Sequence, residues 1–146
     1  MDAEFRKKTG VPGIEHIEEF AGFLDEELKK KGISVKTAIK LRMVVDEIYS
    51  NICYYSGARE VSLGIRITQN REKKSRDVTL YFEDDGIPYN PLAKQDPDME
   101  KPLNERDKKG GLGIYLVKKR MDWVTYEYLN GRNCLTVGVG ESYEVE

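Results

Sequence analysis

Apolar residues recur at steps of three and four in the first part of the chain, a spacing typical of one helix face. The first run contains Ile14, Ile17, Phe20, Ala21, Leu24 and Leu28. Gly32, a residue type that often follows a helix, predicts its end. Ser34 can cap a second helix, which we expect to reach about Tyr54 and to stop before Gly57. The apolar face of this second helix is predicted to contain Val35, Ala38, Ile39, Met43, Val45, Ile48 and Ile52.

After Gly57 the apolar residues alternate with polar ones, and this period of two predicts β-strands. The first two predicted strands contain Val61 to Ile67 and Val78 to Phe82. The charged segment from Asn70 to Asp77 lies between them and is typical of a solvated turn. We therefore expect these two strands to form an antiparallel pair.

Two more strands are predicted near the end of the chain, from Trp123 to Leu129 and from Asn133 to Val139. Asn130-Gly131 joins them, and this dipeptide is typical of a tight hairpin. The tail from Gly140 to Glu146 is acidic and is expected to fray. A short helix precedes the two strands, with apolar residues at Ile114, Leu116, Val117 and Met121.

No period is present from Asp84 to Gly113, where prolines are mixed with charges of both signs. A long irregular segment within a domain is commonly a functional lid, so we expect a lid over about residues 87–110. The order of elements predicts an α+β fold, a two-layer sandwich of a mixed, mainly antiparallel sheet with helices on one face. We expect one domain over residues 1–146, with its core over about residues 14–139.

The composition excludes several classes of function. The chain has 146 residues with a formal net charge of -2, so it lacks the positive charge typical of proteins that bind nucleic acids. No apolar run approaches the roughly 20 residues of a membrane span, and the polar N-terminus does not resemble a secretory signal. We therefore expect a cytoplasmic protein. Cys53 and Cys134 are isolated and are expected to be small buried residues, without a zinc site or a disulfide.

Three short segments carry candidate chemistry. Glu47 and Asn51 stand four residues apart on the second helix, so a proton acceptor and a ligand for a hard cation project side by side. Such a pair is also typical of an ordinary solvated helix face. Asp84-Asp85-Gly86 comes after a predicted strand, where a carboxylate can accept a hydrogen bond from an amine and the glycine allows a flat ring to approach. The same residues are common in simple turns.

The third segment, Lys108-Lys109-Gly110-Gly111-Leu112-Gly113, leads into the predicted short helix. Glycines expose backbone N–H groups, and a helix N-terminus adds positive potential, so this segment can bind an anion such as phosphate. A flexible hinge is the alternative interpretation. The pattern differs from a P-loop, since no Gly-Lys-Ser/Thr is present, and from the dinucleotide-binding fingerprint, since the last glycine is missing.

The order of these segments resembles the N, G1 and G2 boxes of the GHKL ATPase superfamily. Within that superfamily the chain is most similar to the stand-alone anti-sigma-factor serine kinases, which have a Bergerat-type ATP-binding fold. The resemblance covers about Ile14 to Val139. It is carried by Leu41 to Glu47 with Asn51, by Asp84 to Pro91, by Gly110 to Val117, and by Arg132-Asn133-x-Leu135-Thr136.

The resemblance implies roles for individual residues. Asp84 would bind the adenine amino group of ATP, with Gly86 against the ring and Thr136 assisting from the last strand. Gly111 and Gly113 would hold phosphate oxygens, with Lys109 as a cationic helper. Asn51 would ligate Mg²⁺. Glu47 would act as the general base that accepts the proton of the acceptor hydroxyl.

The resemblance also implies an ATP-dependent protein serine/threonine kinase that phosphorylates a STAS-type anti-sigma-factor antagonist and sequesters a sigma factor. It further implies a homodimer, without direct contact to nucleic acid or membrane. Cys53 to Gly57 depart from the family pattern, since bulky Tyr54 and Tyr55 stand where a histidine and a small residue are common. The alternative is therefore a nucleotide-gated partner-binding module without kinase activity. A histidine kinase is disfavoured, because we expect no phosphoacceptor helix pair before Ile14 and because His16, the one histidine, stands too near the terminus to serve such a pair.

Overall fold

The computed structural model describes residues 2–93, 96–97, 99–102 and 112–143. The helices are α1 (Ile17–Lys30), α2 (Val35–Asn51) and α3 (Leu112–Arg120). The strands are β1 (Asp2–Gly10), β2 (Val61–Asn70), β3 (Ser75–Asp84), β4 (Trp123–Leu129) and β5 (Arg132–Ser142). Among the described residues, no helix is both long and apolar enough to cross a bilayer.

The five strands form one sheet in the order β1-β2-β3-β5-β4, and every pair of neighbours is antiparallel. Alternate residues of the inner strands, such as Ile65, Leu80 and Val137, are buried in a common core with the helices. This arrangement confirms the predicted α+β sandwich. All of the pairings between described strands are antiparallel, so the sheet is simpler than the mixed one expected.

The helices begin and end close to where the sequence predicts. The Ser34 side chain accepts a hydrogen bond from Thr37 N–H, as expected for the residue that caps α2. The predicted apolar face of α2 is wrong in part, because Val35 is 75% and Ile39 is 64% exposed. Leu41 and Val44 are buried instead, since their positions face the sheet.

The nine-residue strand β1 was not expected from the sequence. It pairs with β2 at the edge of the sheet, where Arg6 lies opposite Ile65 and Lys8 opposite Leu63. The inner face of β1 therefore carries charged side chains. Their long stems can cover apolar surface while the charges remain near water or a partner. Arg6 lies 3.6 Å from the buried carboxylate of Glu27 on α1.

The hairpin predicted at Asn130-Gly131 is present, and both residues have positive φ angles, 54° and 76°. The predicted charged connector is shorter than expected, because β2 reaches Asn70 and β3 begins at Ser75. The prediction of a frayed tail is wrong for Gly140–Ser142, which pair with β3. The Glu141 carboxylate also accepts hydrogen bonds from the Ser34 backbone and hydroxyl, and these bonds hold the tail against α2. Residues 144–146 lie outside the described residues.

Candidate functional site

The helix α2 does not stop at Asn51 but continues as a π-helical turn, Ile52–Ser56. Gly57 ends this turn with a φ of 65°, a conformation that favours glycine. The Ser56 hydroxyl donates to the Ile52 carbonyl at 2.9 Å and fixes the turn internally. π turns are rare and are frequently found at functional sites.

A small cavity lies between this π turn, the ends of β3 and β5, and the segment after β3. Ile48, Phe82, Pro91 and Leu135 form apolar parts of its wall. Its polar lining includes Asn51, Asp84, Tyr126 and Asn133. Mainly apolar walls with a few placed polar groups are typical of small-molecule sites.

Asp84 is 3% exposed at the end of β3. Its Oδ1 accepts hydrogen bonds from Gly86 N–H and from the Asn133 side chain, each at 2.9 Å. Among the described residues, none donates a hydrogen bond to the other oxygen, Oδ2. Asp84 therefore offers an acceptor oxygen to a ligand in the cavity.

The adjacent Asp85 has a different role. It is exposed, and its Oδ1 accepts hydrogen bonds from the backbone N–H groups of Arg59 at 2.8 Å and Glu60 at 2.9 Å. The bonds from Glu60 and Arg59 lower the pKa of the Asp85 carboxyl below its usual value. Asp85 thus fixes the segment before β2 and does not line the cavity.

Asn133 lies opposite Asp84 in the sheet and is 5% exposed. Its Nδ2 donates to Asp84 Oδ1 and to the Ile87 carbonyl, at 2.9 and 2.8 Å. Its Oδ1 accepts from Tyr89 N–H and from the Tyr126 hydroxyl. Burial raises the pKa of that hydroxyl above its usual value. The sequence-based interpretation assigned no role to Asn133.

Thr136 does not reach the cavity. Leu135 and Val137, its neighbours on β5, are buried in the core, so the side chain of Thr136 points to the opposite face of the sheet. There it lies across from Tyr81 and Thr125. The sequence could have placed Asn133 on the inner face of the sheet, because Asn133, Leu135 and Val137 are alternate residues of one strand.

Gly86 packs against the π turn. A Cβ atom at this position would lie 2.2 Å from the Ser56 carbonyl oxygen, which belongs to the backbone and cannot move alone. The next residue, Ile87, donates its N–H to the same oxygen at 2.8 Å. The glycine therefore joins the end of β3 to the π turn that extends α2.

Glu47 and Asn51 lie side by side on α2, and Asn51 Nδ2 donates to Glu47 Oε1 at 3.3 Å. Asn51 is 7% exposed and also lines the cavity. The Glu47 carboxylate lies against Gly113 at the start of α3, where a Cβ would fall 2.0 Å from Glu47 Cδ. The fold therefore brings Glu47, Asn51 and Gly113 together next to the cavity that contains Asp84.

Some predicted residues lie outside the described part of the chain. They include Lys109 and Gly111, as well as residues 94–95, 98 and 103–110 of the expected lid. The described part of that segment contains a short 3₁₀ turn, Pro91–Ala93. An ion pair of 2.5 Å joins Asp96 to Lys118 on α3.

The bulky residues Tyr54 and Tyr55 are 67% and 46% exposed on the π turn. Tyr55 stacks on Tyr89 with ring centroids 5.3 Å apart, and Tyr89 in turn lines the cavity. The departure from the family pattern thus lies beside the cavity.

Within the described ranges, no cluster of three or more His, Cys, Asp or Glu side chains could hold a metal ion. The amide oxygen of Asn51 is nevertheless a suitable ligand for Mg²⁺, which prefers oxygen and commonly completes its shell with phosphates and water. The acceptor oxygen of Asp84 likewise fits an exocyclic amine. The donor set is therefore compatible with a magnesium-bound adenine nucleotide.

Comparison with known proteins adds a decisive observation. Residues 12–139 match the model of the histidine kinase-like ATPase domain. The chain belongs to this family. Membership in the histidine kinase-like ATPase family confirms the resemblance inferred from the sequence and implies that the protein binds ATP.

One relative of this ATPase domain is the serine/threonine-protein kinase BtrW of Bordetella bronchiseptica, 26% identical over 104 residues. The match covers 71% of each protein. It supports kinase or ATPase chemistry at a coarse level. A chain from the crystal structure of the SiaB–SiaC complex of Pseudomonas aeruginosa has a TM-score of 0.53 at 14% identity. It covers 93% of this chain and 89% of its own length, and the likeness concerns the fold.

Proposed function

We propose that this protein is an ATP-dependent protein serine/threonine kinase. The observation that carries the proposal is the buried carboxylate of Asp84, which presents an acceptor oxygen to a cavity that also contains Asn51. Glu47 stands one helical turn from Asn51 and is bonded to it. Because Asn51 both lines the cavity and donates a hydrogen bond to Glu47, this arrangement supports a nucleotide base and a proton acceptor in neighbouring positions, as phosphoryl transfer from ATP requires.

In this proposal each residue has a defined task. Asp84 accepts a hydrogen bond from the amino group of adenine. Asn51 contributes its amide oxygen to Mg²⁺, which neutralises charge on the phosphates when it is bound. The serine hydroxyl oxygen of the acceptor protein attacks the γ-phosphorus, the bond to the β-phosphate oxygen breaks, and ADP leaves. Glu47 takes the hydroxyl proton.

The acceptor is proposed to be a STAS-type anti-sigma-factor antagonist, and the protein is proposed to hold a sigma factor when the antagonist is absent. Family resemblance supports these partners, and the relative named as a serine/threonine-protein kinase supports a hydroxyl group of a protein as the acceptor. We also propose that the protein acts as a homodimer in the cytoplasm. Light scattering on the purified protein tests the oligomeric state.

A second candidate function is a nucleotide-gated partner-binding module that does not transfer phosphate. The exposed Tyr54 and Tyr55 favour it, because they add bulk beside the cavity where the family pattern has a histidine and a small residue. Incubation with radiolabelled ATP, Mg²⁺ and a STAS-type antagonist distinguishes the two functions. Phosphoserine on the antagonist supports the kinase, whereas ATP-dependent binding without label supports the module.

The nucleotide site is tested by Asp84→Asn, with Asp85→Asn as the matched control. Loss of the charged acceptor is expected to weaken ATP binding about tenfold or more, measured by calorimetry. The neighbouring substitution changes an exposed side chain outside the cavity and is expected to alter the affinity by no more than about twofold. Equal affinities for both variants would contradict the assignment of Asp84.

The proton acceptor is tested by Glu47→Gln, which keeps the shape of the side chain and removes its basicity. We expect phosphate transfer to the antagonist to fall by about 100-fold or more, with ATP affinity nearly unchanged. Retained transfer would reassign the general base to another group.

A further inference from the structure

Asn133 and Asp84 form a buried, hydrogen-bonded pair in the cavity, and Asn133 fixes the orientation of the Asp84 carboxylate. It reaches the carboxylate from the neighbouring strand, since Asp84 and Asn133 are directly paired between β3 and β5. Its amide donates to Oδ1, the oxygen that also accepts from Gly86 N–H. Two donors on one oxygen fix the plane of the carboxylate and leave Oδ2 for a ligand.

The orientation of the Asn133 amide is itself determined by its surroundings. Two donors, Tyr89 N–H and the Tyr126 hydroxyl, point at the same end of the side chain. Only the amide oxygen can accept from both, so the NH₂ group must face the Ile87 carbonyl and Asp84. A flipped amide would place its oxygen against a carboxylate and a carbonyl, and such a contact between acceptors is unfavourable.

We infer that Asn133 is a positioning residue, which orients Asp84 so that one carboxylate oxygen accepts a hydrogen bond from the amino group of the nucleotide base. Tyr126 supports it by holding the amide in this orientation. The inference rests on the nucleotide site proposed above and extends it, because it assigns recognition of the base to a pair of residues on adjacent strands. It also gives to Asn133 the assisting role that the family resemblance assigned to Thr136.

The experiment compares two nucleotides, ATP and purine riboside 5′-triphosphate, which lacks the 6-amino group. Calorimetric dissociation constants are measured for the unmodified protein and for Asn133→Ala. In the unmodified protein the amino group is expected to strengthen binding about tenfold, since its partner is a buried charge. In the variant this ratio is expected to fall to about 2 or less, whatever loss of affinity the two nucleotides share.

A purely structural role for Asn133 predicts another result. Both nucleotides would then lose affinity by the same factor, and the unchanged ratio would overturn the inference. Failure of the unmodified protein to bind either nucleotide would instead overturn the proposed function. A ratio near 1 in the unmodified protein that binds ATP would overturn the role of the Asp84–Asn133 pair while the ATP site stands.

Tyr126→Phe provides a milder test in case Asn133→Ala does not fold. It removes one donor to the Asn133 oxygen and keeps the ring that lines the cavity. We expect it to lower the ratio between the two nucleotides by about two- to threefold, because the amide is then held by one donor fewer. An unchanged ratio in this variant would contradict the role of Tyr126 as the support of Asn133.

Discussion

The two ends of the candidate site differ in how firmly their polar groups are held. We call one the base end, formed by Asp84, Gly86 and Asn133. We call the other the phosphate end, formed by Glu47, Asn51 and Gly113. At the base end, Asn133 uses both of its donors and accepts two hydrogen bonds within the protein. At the phosphate end, and within the described residues, Glu47 receives a single hydrogen bond of 3.3 Å.

The difference corresponds to the two tasks proposed for the site. Recognition of a base gains from groups that are fixed before the ligand arrives, because little further ordering is needed. A proton acceptor must instead meet a hydroxyl group that another protein supplies. The hydrogen bonds to Asp84 come from β5 and from the residues directly after β3, whereas Glu47 lies between two helices.

Gly86 at the base end and Gly113 at the phosphate end also differ in how firmly their neighbours are held. The largest effect on stability is expected for a substitution of Gly86. In Gly86→Ala the methyl group would meet the Ser56 carbonyl at 2.2 Å, so backbone must shift. We expect the free energy of unfolding to fall by about 1–3 kcal/mol, measured by denaturant titration. Gly22→Ala on α1 is the control, since nothing lies within 4 Å of its added atom. It should stabilise the helix by up to about 1 kcal/mol.

Equal stabilities of the two alanine variants would show that the end of β3 is not packed against the π turn as described. The base end would then be no more rigid than the phosphate end.

Gly113→Ala is expected to lower the free energy of unfolding less than Gly86→Ala does, but to reduce phosphate transfer strongly. Here the methyl group would meet the end of the Glu47 side chain, which can turn away. Displacement of the carboxylate by an ångström is expected to lower phosphate transfer by about 100-fold. Adenosine, which has no phosphates, should bind as before. A loss of stability similar to that of Gly86→Ala would contradict the contrast between the two ends.

The smallest effect is expected for Thr136→Val, which removes a hydroxyl group from the face of the sheet opposite the cavity. ATP affinity should change by no more than about twofold, and the free energy of unfolding by no more than about 0.5 kcal/mol. A tenfold loss of ATP affinity would show that Thr136 takes part in binding the nucleotide base, and it would contradict the transfer of this role to Asn133.

The sequence predicted those helices and strands that bury one face in the core, because the buried face repeats as apolar residues along the chain. The helices α1 and α2 and the strands β2 to β5 were found because their inner residues are apolar at regular steps. Strand β1 was missed because its inner face carries Arg6 and Lys8, and Lys8 lies over the ring of Phe20 at 5.5 Å. In this edge strand, the aliphatic stems of Arg6 and Lys8 cover the core in place of apolar side chains. The alternation of apolar and polar residues that predicts a strand is therefore absent from the sequence.

The site was predicted where one helix or one turn determines it. Glu47 and Asn51 are neighbours through helical spacing alone, and the structure shows their hydrogen bond. The pairing of Asp84 with Asn133 depends on the register between β3 and β5, which are separated by almost fifty residues of chain. Local pattern does not give such a register. The alternation along β5 does place Thr136 on the face opposite to buried Leu135 and Val137, so the role expected for Thr136 conflicts with the strand pattern.

The π turn after Asn51 has a consequence for the alignment of relatives. A π turn contains one residue more than an α turn, so Ile52–Ser56 accommodate an additional residue without rotating the helix before them. In an uninterrupted α-helix, each added residue would rotate the remainder of the helix by about 100°. A relative with a regular helix here should therefore align with a one-residue gap within this turn. In such a relative, the residues that correspond to Glu47 and Asn51 then lie on the same face of the helix as here. The difference in length is confined to the segment that contains Tyr54 and Tyr55.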